Sequence, residues 1–89
     1  MRAVITVVGR DKVGILAKVS SICAENNVNV IEVSQSILQD MFCMIMLTDV
    51  SECSVPFTEF AENIAKQGEA QNLSIRAMHE DVFNSMHRI

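Results

Sequence analysis

The chain contains no tryptophan and no tyrosine, and its aromatic content is four phenylalanines. It therefore offers no row of exposed rings on which nucleic-acid bases could stack. Positive charge is scarce as well, with a formal net charge of −4, which excludes a basic phosphate-tracking footprint. The three cysteines, Cys23, Cys43 and Cys53, are odd in number and lack CxxC spacing, so neither a disulfide framework nor a tetrahedral zinc site is expected. No apolar run approaches the ~20 residues needed to span a bilayer, and no charged segment followed by an apolar stretch and a cleavage site precedes the first strand. A cytoplasmic location away from membranes follows as the expectation. One proline, three glycines and no low-complexity run leave no linker, so residues 1–89 read as one domain, with a core over 1–79 and a helical tail over 80–89. A chain of this size buries only a little over ~60% of its unfolded surface, which makes oligomerisation a natural source of added stability.

What is present is strongly patterned. Residues 3–8 are β-branched apart from Ala3 and read as a strand buried on both faces. Ile15, Val19, Ile22 and Cys23 recur at helical spacing from Val13 onward, and Asn26-Asn27 supplies the stop. In the second strand Ile31, Val33 and Ile37 share one parity with Asn29 and Gln35, against Val30, Glu32, Ser34, Ser36 and Leu38. Gln39-Asp40 reads as a hairpin turn. The third strand, Met41 to Thr48, is apolar at both parities, so its second face or its edge needs a cover. Ser54 before Val55-Pro56 reads as a helix start, Phe57, Phe60, Ala61 and Ile64 as its buried stripe, and Gly68 as its end. Leu73, Ile75 and Ala77 alternate through a last strand from about Asn72 to His79. Val82, Phe83, Met86 and Ile89 form an apolar stripe on a tail helix.

This order predicts an α+β, ferredoxin-like βαββαβ sandwich: a four-stranded antiparallel sheet with two helices on one face, plus a short C-terminal helix. Other uses of that architecture lack their residues. An RNA-recognition domain needs aromatics on the central strands, where only Phe42 occurs; a metal carrier needs paired cysteines in the first turn; an acylphosphatase needs an arginine loop of the type GxVQGVxFR. No nucleophile–base pair, paired carboxylates or metal cluster stands at convincing spacing, so an enzyme, a metal site and a cofactor are not expected. His79 and His87 read as packing or surface residues, and most of the six methionines and three cysteines as adaptable core hydrophobes.

The chemistry concentrates in Val7-Val8-Gly9-Arg10-Asp11-Lys12-Val13-Gly14-Ile15, where a strand ends in a charged turn and a glycine opens a helix. The first N–H groups of that helix carry partial positive charge and suit a carboxylate. Asp11 and Asn29 would complete a site for a small zwitterion if the end of the first strand and the start of the second met. The alternatives are that Gly14 serves close helix–sheet packing, that Asp11 caps the helix, and that Asn29 satisfies local backbone.

The turn Gly9–Ile15, the segment Asn27-Val28-Asn29-Val30 and Val33-Ser34-Gln35-Ser36 resemble an ACT domain over nearly the whole chain, closest to small stand-alone ACT proteins related to the glycine-cleavage repressor. The Val33-Ser34-Gln35 strand departs mildly from the ISQ-like pattern. The resemblance implies a regulatory βαββαβ module that pairs side by side and binds an amino acid or similar small ligand near the subunit interface. The ligand-contacting turn then falls on Asp11, Val13, Gly14 and Ile15, and the polar position of the second strand on Asn29. The expected protein is a non-catalytic homodimer signalling to a regulated protein partner, without direct nucleic-acid contact. The alternative is a ligand-free protein-interaction module built on the sheet edge and the tail.

Overall fold

The computed structural model of the chain describes residues 1–10 and 13–86. The element order is β1 (Arg2–Arg10), α1 (Ile15–Glu25), β2 (Asn29–Leu38), β3 (Met41–Asp49), α2 (Phe57–Glu69), β4 (Ser74–His79) and α3 (Glu80–Met86). The sheet has the order β2-β3-β1-β4, with every neighbouring pair antiparallel. This is the expected ferredoxin-like topology.

Register assigns each side chain to a face. Ala3, Ile5 and Val7 of β1 lie beside Thr48, Met46 and Met44 of β3 and beside His79, Ala77 and Ile75 of β4. With Val19, Ile22, Cys23, Phe60 and Ile64 from the two long helices they form the core. Thr48 is fully buried there, and its hydroxyl donates to the Ala3 carbonyl at 2.9 Å, so its burial leaves no polar atom unpaired. Burial pushes the Cys23 thiol up to about 11, with neighbouring Cys53 adding to the shift. A buried neutral thiol is a poor nucleophile. Alkylation at pH 7.5 is therefore expected to modify Cys43 and Cys53 and to spare Cys23 until denaturant is added; three equal rates in the folded protein would contradict this packing.

Both long helices close with the same backbone device. Val28 N–H bonds the Cys23 carbonyl at 2.8 Å and Asn27 N–H bonds Ala24 at 3.1 Å; Leu73 N–H bonds Gly68 at 2.8 Å and Asn72 N–H bonds Glu69 at 3.1 Å. In each case an asparagine, Asn27 or Asn72, takes φ 60° and turns the chain back toward the sheet. Asn27 thus ends α1 as expected, whereas Gly68 does not end α2. It lies inside the helix, and a β-carbon there would stand 2.6 Å from Ile75 Cγ1, so its absence is what lets α2 settle onto β4. The start of α2 also differs from expectation. Ser54 gives its backbone N–H to the Asn26 carbonyl at 2.9 Å, and Pro56 is the residue that precedes the first helical turn at Phe57.

A bulge corrects the expected faces of β2. Val30 pairs with Thr48 but Glu32, not Ile31, pairs with Leu47. The extra residue shifts the alternation, so Val30 leans on the core in place of the exposed Ile31, while Val33 and Ile37 keep the expected core-side face, although Ile37 itself is exposed. Fewer methionines reach the core than expected: Met44 and Met46 are buried, Met78 is half-buried, and Met1, Met41 and Met86 are exposed. β1 is not covered evenly either, since Val8 is exposed on the face away from the long helices.

Part of that second face is covered by α3, which contacts β1 and β4 and leaves Val4 buried although it points away from the core helices. The Arg2 guanidinium grips the Glu80 carboxylate, with Nε 3.1 Å from each oxygen. That bond holds the Glu80 carboxyl below the usual glutamate range. Because the folded value is lowered, the contribution is present above the ordinary glutamate value of about 4.3 and is lost as pH falls through the lowered one. The Phe83 ring signals are thus expected to hold their positions from pH 8 to 5 and to drift toward unfolded values in stronger acid. Arg2→Ala should produce that drift at neutral pH, and an unchanged Phe83 spectrum in this variant would contradict the clamp. His79 is half-buried against Phe57, ring centroids 4.5 Å apart. Ile89 and His87 lie outside the described residues.

Candidate functional site

Gly14 immediately precedes α1 and takes φ 84°, ψ 9°. A β-carbon there would meet nothing within 4 Å. Close packing is therefore not the reason for this glycine; the left-handed backbone is. The helix begins at once, with Lys18 N–H bonding the Gly14 carbonyl at 3.0 Å. Among the described residues no side chain caps it, and its first turn carries no acidic residue. The partial positive charge of its leading N–H groups is thus not compensated by any described side chain.

The other expected site residues divide. Val13 is fully exposed and marks the open side of the turn, while Ile15 is buried in the core and can offer only its backbone N–H. Asp11 lies outside the described residues. Asn29 is exposed, and its carboxamide makes no hydrogen bond with a described residue, so it is not spent on local backbone. The expected meeting of Asn29 with the turn does not occur within one chain. β1 and β2 are both antiparallel to β3, hence parallel to each other, and Asn29 stands in line with Asp49 and Arg2 at the start of β1. The turn follows Arg10, at the opposite end, where Arg10 Nη1 reaches Asp40 Oδ2 at 2.6 Å across the hairpin. Along the strands that separation is about 30 Å for nine residues.

Around Asn29 the charges are mixed. Ser51 holds the Asp49 carboxyl below its usual range through its hydroxyl and its backbone N–H, the latter 2.9 Å away, and the N-terminal ammonium lies 3.7 Å off. Sequence reasoning missed one feature altogether, a groove of about 810 Å³ along the outer edge of β4. Its walls come from two helices far apart in sequence, and only the register of the intervening strands brings them together. Among the described residues no helix is long and apolar enough to cross a membrane.

The topology and its glycine-opened helix define a ferredoxin-like α+β fold. A family model for the ACT domain matches residues 2–77, and the chain belongs to the ACT domain family. It is 51% identical over 89 residues to a UPF0237 protein of Clostridium perfringens, covering 100% of both chains. It superposes on an ACT domain protein from Streptococcus pneumoniae with a TM-score of 0.82 at 34% identity, covering 98% of each chain. A putative glycine cleavage system transcriptional repressor shares the fold, with a TM-score of 0.70 at 23% identity over 85% of this chain and 43% of that one.

Proposed function

We propose that the protein is a non-catalytic cytoplasmic sensor that binds a small amino acid between two copies of itself and passes the bound state to a protein partner. The observation that carries this reading is an α1 N-terminus that no described side chain caps, together with an Asn29 carboxamide that bonds no described residue, on the edge strand β2. Edge-to-edge antiparallel pairing of β2 with β2 of a second copy, about a two-fold axis, brings Asn29 of one copy to the end of the sheet where the other copy's Gly14 turn lies. The gap becomes two to three strand spacings, about 10–14 Å, which a bound zwitterion and the side chains around it can bridge. The helix N–H groups take its carboxylate, and Asn29, with Asp11 of the facing turn, takes its ammonium. The bulge at Ile31 leaves Glu32–Leu38 as a regular edge for the pairing, and exposed Ile37 and Leu38 gain cover from it.

Regulation then requires a ligand that prefers one arrangement of the two copies over another, since equal binding shifts nothing. A thermal-unfolding panel of the twenty amino acids at millimolar concentration tests the reading. A ligand at a hundred times its Kd adds about 2.7 kcal/mol, a shift of ~10–20 °C in a domain of this size. One amino acid should raise the midpoint, and Asn29→Ala should abolish the shift without lowering the unliganded midpoint. A flat panel would favour the second reading, a ligand-free interaction module, for which the exposed Val82 and Met86 of α3 speak.

A further inference from the structure

We propose that the outer edge of β4 is a docking slot for an extended segment of a partner protein, carrying small apolar residues and at least one lysine or arginine. Among the described residues the strand order leaves β4 without a neighbour on that side. Edge strands are usually shielded by charge, a bulge or a covering element, yet here the edge lies open between walls supplied by α2 and α3, forming the groove of about 810 Å³. Ala61 and Ala65, one helical turn apart, form the α2 wall, and their short side chains leave the groove wide enough for a strand. Val82 and Met86, at the same spacing, form the α3 wall and are 48% and 65% exposed. An extended peptide added to β4 would complete main-chain hydrogen bonds and send alternate side chains toward the two walls.

Charge selects the occupant. Glu62 and Glu69 line the α2 side, and neither makes an ion pair or hydrogen bond with a described residue. Pairing β4 with β4 of a second copy would set α2 beside α2 and bring these carboxylates against their own copies, which is repulsive. A basic residue on a partner strand meets them favourably. Arg76 lies on the other side of the strand, paired with Thr6 on the α3 face, so an acidic side chain is accepted there. The slot lies across the sheet from β2 and needs no small ligand, so this inference goes beyond the sensor reading and fails or stands separately from it.

The test is selection of random twelve-residue peptides displayed on phage against the full-length protein, followed by binding measurements with the enriched peptides. Alternating small apolar residues with Lys or Arg should be enriched, and their binding should move the backbone amide signals of Ser74 to Met78. Proline at the peptide centre should abolish binding, because it cannot complete the ladder. Ala65→Arg, which fills the slot, and the pair Glu62→Lys with Glu69→Lys should each weaken binding at least about tenfold. Met86→Lys, at an exposed position, serves the same purpose should Ala65→Arg fail to fold, since it sets a like charge against the peptide's basic residue. Asn29→Ala should bind like the unaltered protein. No enrichment, or enriched peptides that bind all slot variants equally, would overturn the proposal. So would a dimer in sedimentation that Met86→Lys dissociates, since the slot would then be occupied by a second copy.

Discussion

Phe60→Ala is expected to remove about 3–5 kcal/mol of stability and to lower the urea midpoint more than any surface change in the chain. Phe60 is fully buried on the inner stripe of α2. The helix otherwise reaches the core through Ile64, Gly68 and the half-buried Phe57, so no neighbour can collapse into the space. A chain of this length has a total stability of about 4–13 kcal/mol at typical values per residue; the loss is roughly a quarter of that or more. Phe57→Ala, whose ring is tilted against Phe60 at 6.4 Å but which is partly exposed, should cost less. Urea unfolding of both variants gives the comparison. A loss below about 1 kcal/mol for Phe60→Ala would mean that α2 does not pack as described.

Gly68→Ala is expected to destabilise the protein although it improves helix propensity. In an exposed helix interior the change would contribute about 1 kcal/mol of stability. Here the new β-carbon would stand 2.6 and 2.8 Å from Ile75 Cγ1 and Cδ1, and 3.1 Å from the Leu73 carbonyl oxygen, which is backbone and cannot move aside. Overpacking of this kind costs about 1–3 kcal/mol, and the exposed-helix gain does not offset the upper part of that range. The net loss should be up to ~2 kcal/mol, lowering the Tm by up to about 15 °C. In an Ile75→Ala background most of the penalty should vanish, because the two sites touch and their effects couple. A rise in Tm for the single variant would show that α2 sits further from β4.

These two positions mark where the sequence was readable and where it was not. Phe60 announced itself through its spacing with Phe57, Ala61 and Ile64. Gly68 carried the same letter as a helix stop, and only the neighbour across the helix–sheet contact tells close approach from a turn; Asn72, four residues on, held the turn instead. The start of β2 was misassigned because one extra residue at Ile31 shifts a period of two and puts Val30 rather than Ile31 on the core, whereas Val33 keeps the expected face. Gly14 was legible as the residue that opens α1, and its φ of 84° is the backbone reason for a glycine there. The meeting of Asn29 with that turn was a topological error. The two strands of one βαβ unit run parallel while the helix between them runs back antiparallel, which separates the end of the first strand from the start of the second by a full strand length. The β4 groove was not legible, since its walls converge only once the sheet order is known.

The same topology that separates Asn29 from the turn within one chain makes the two-copy site testable by mixing. Asn29→Ala and Gly14→Ala should each abolish binding of the amino acid found in the thermal panel, the second by disfavouring the left-handed turn. When the two variants are unfolded together and refolded as a mixture, a mixed dimer carries both defects in one site and none in the other. Titration calorimetry on the mixture should therefore recover about a quarter of the unaltered number of sites at unaltered affinity, the share set by random pairing of symmetric dimers. No recovered sites, in a mixture that has exchanged subunits, would contradict a site built from Asn29 of one copy and the Gly14 turn of the other.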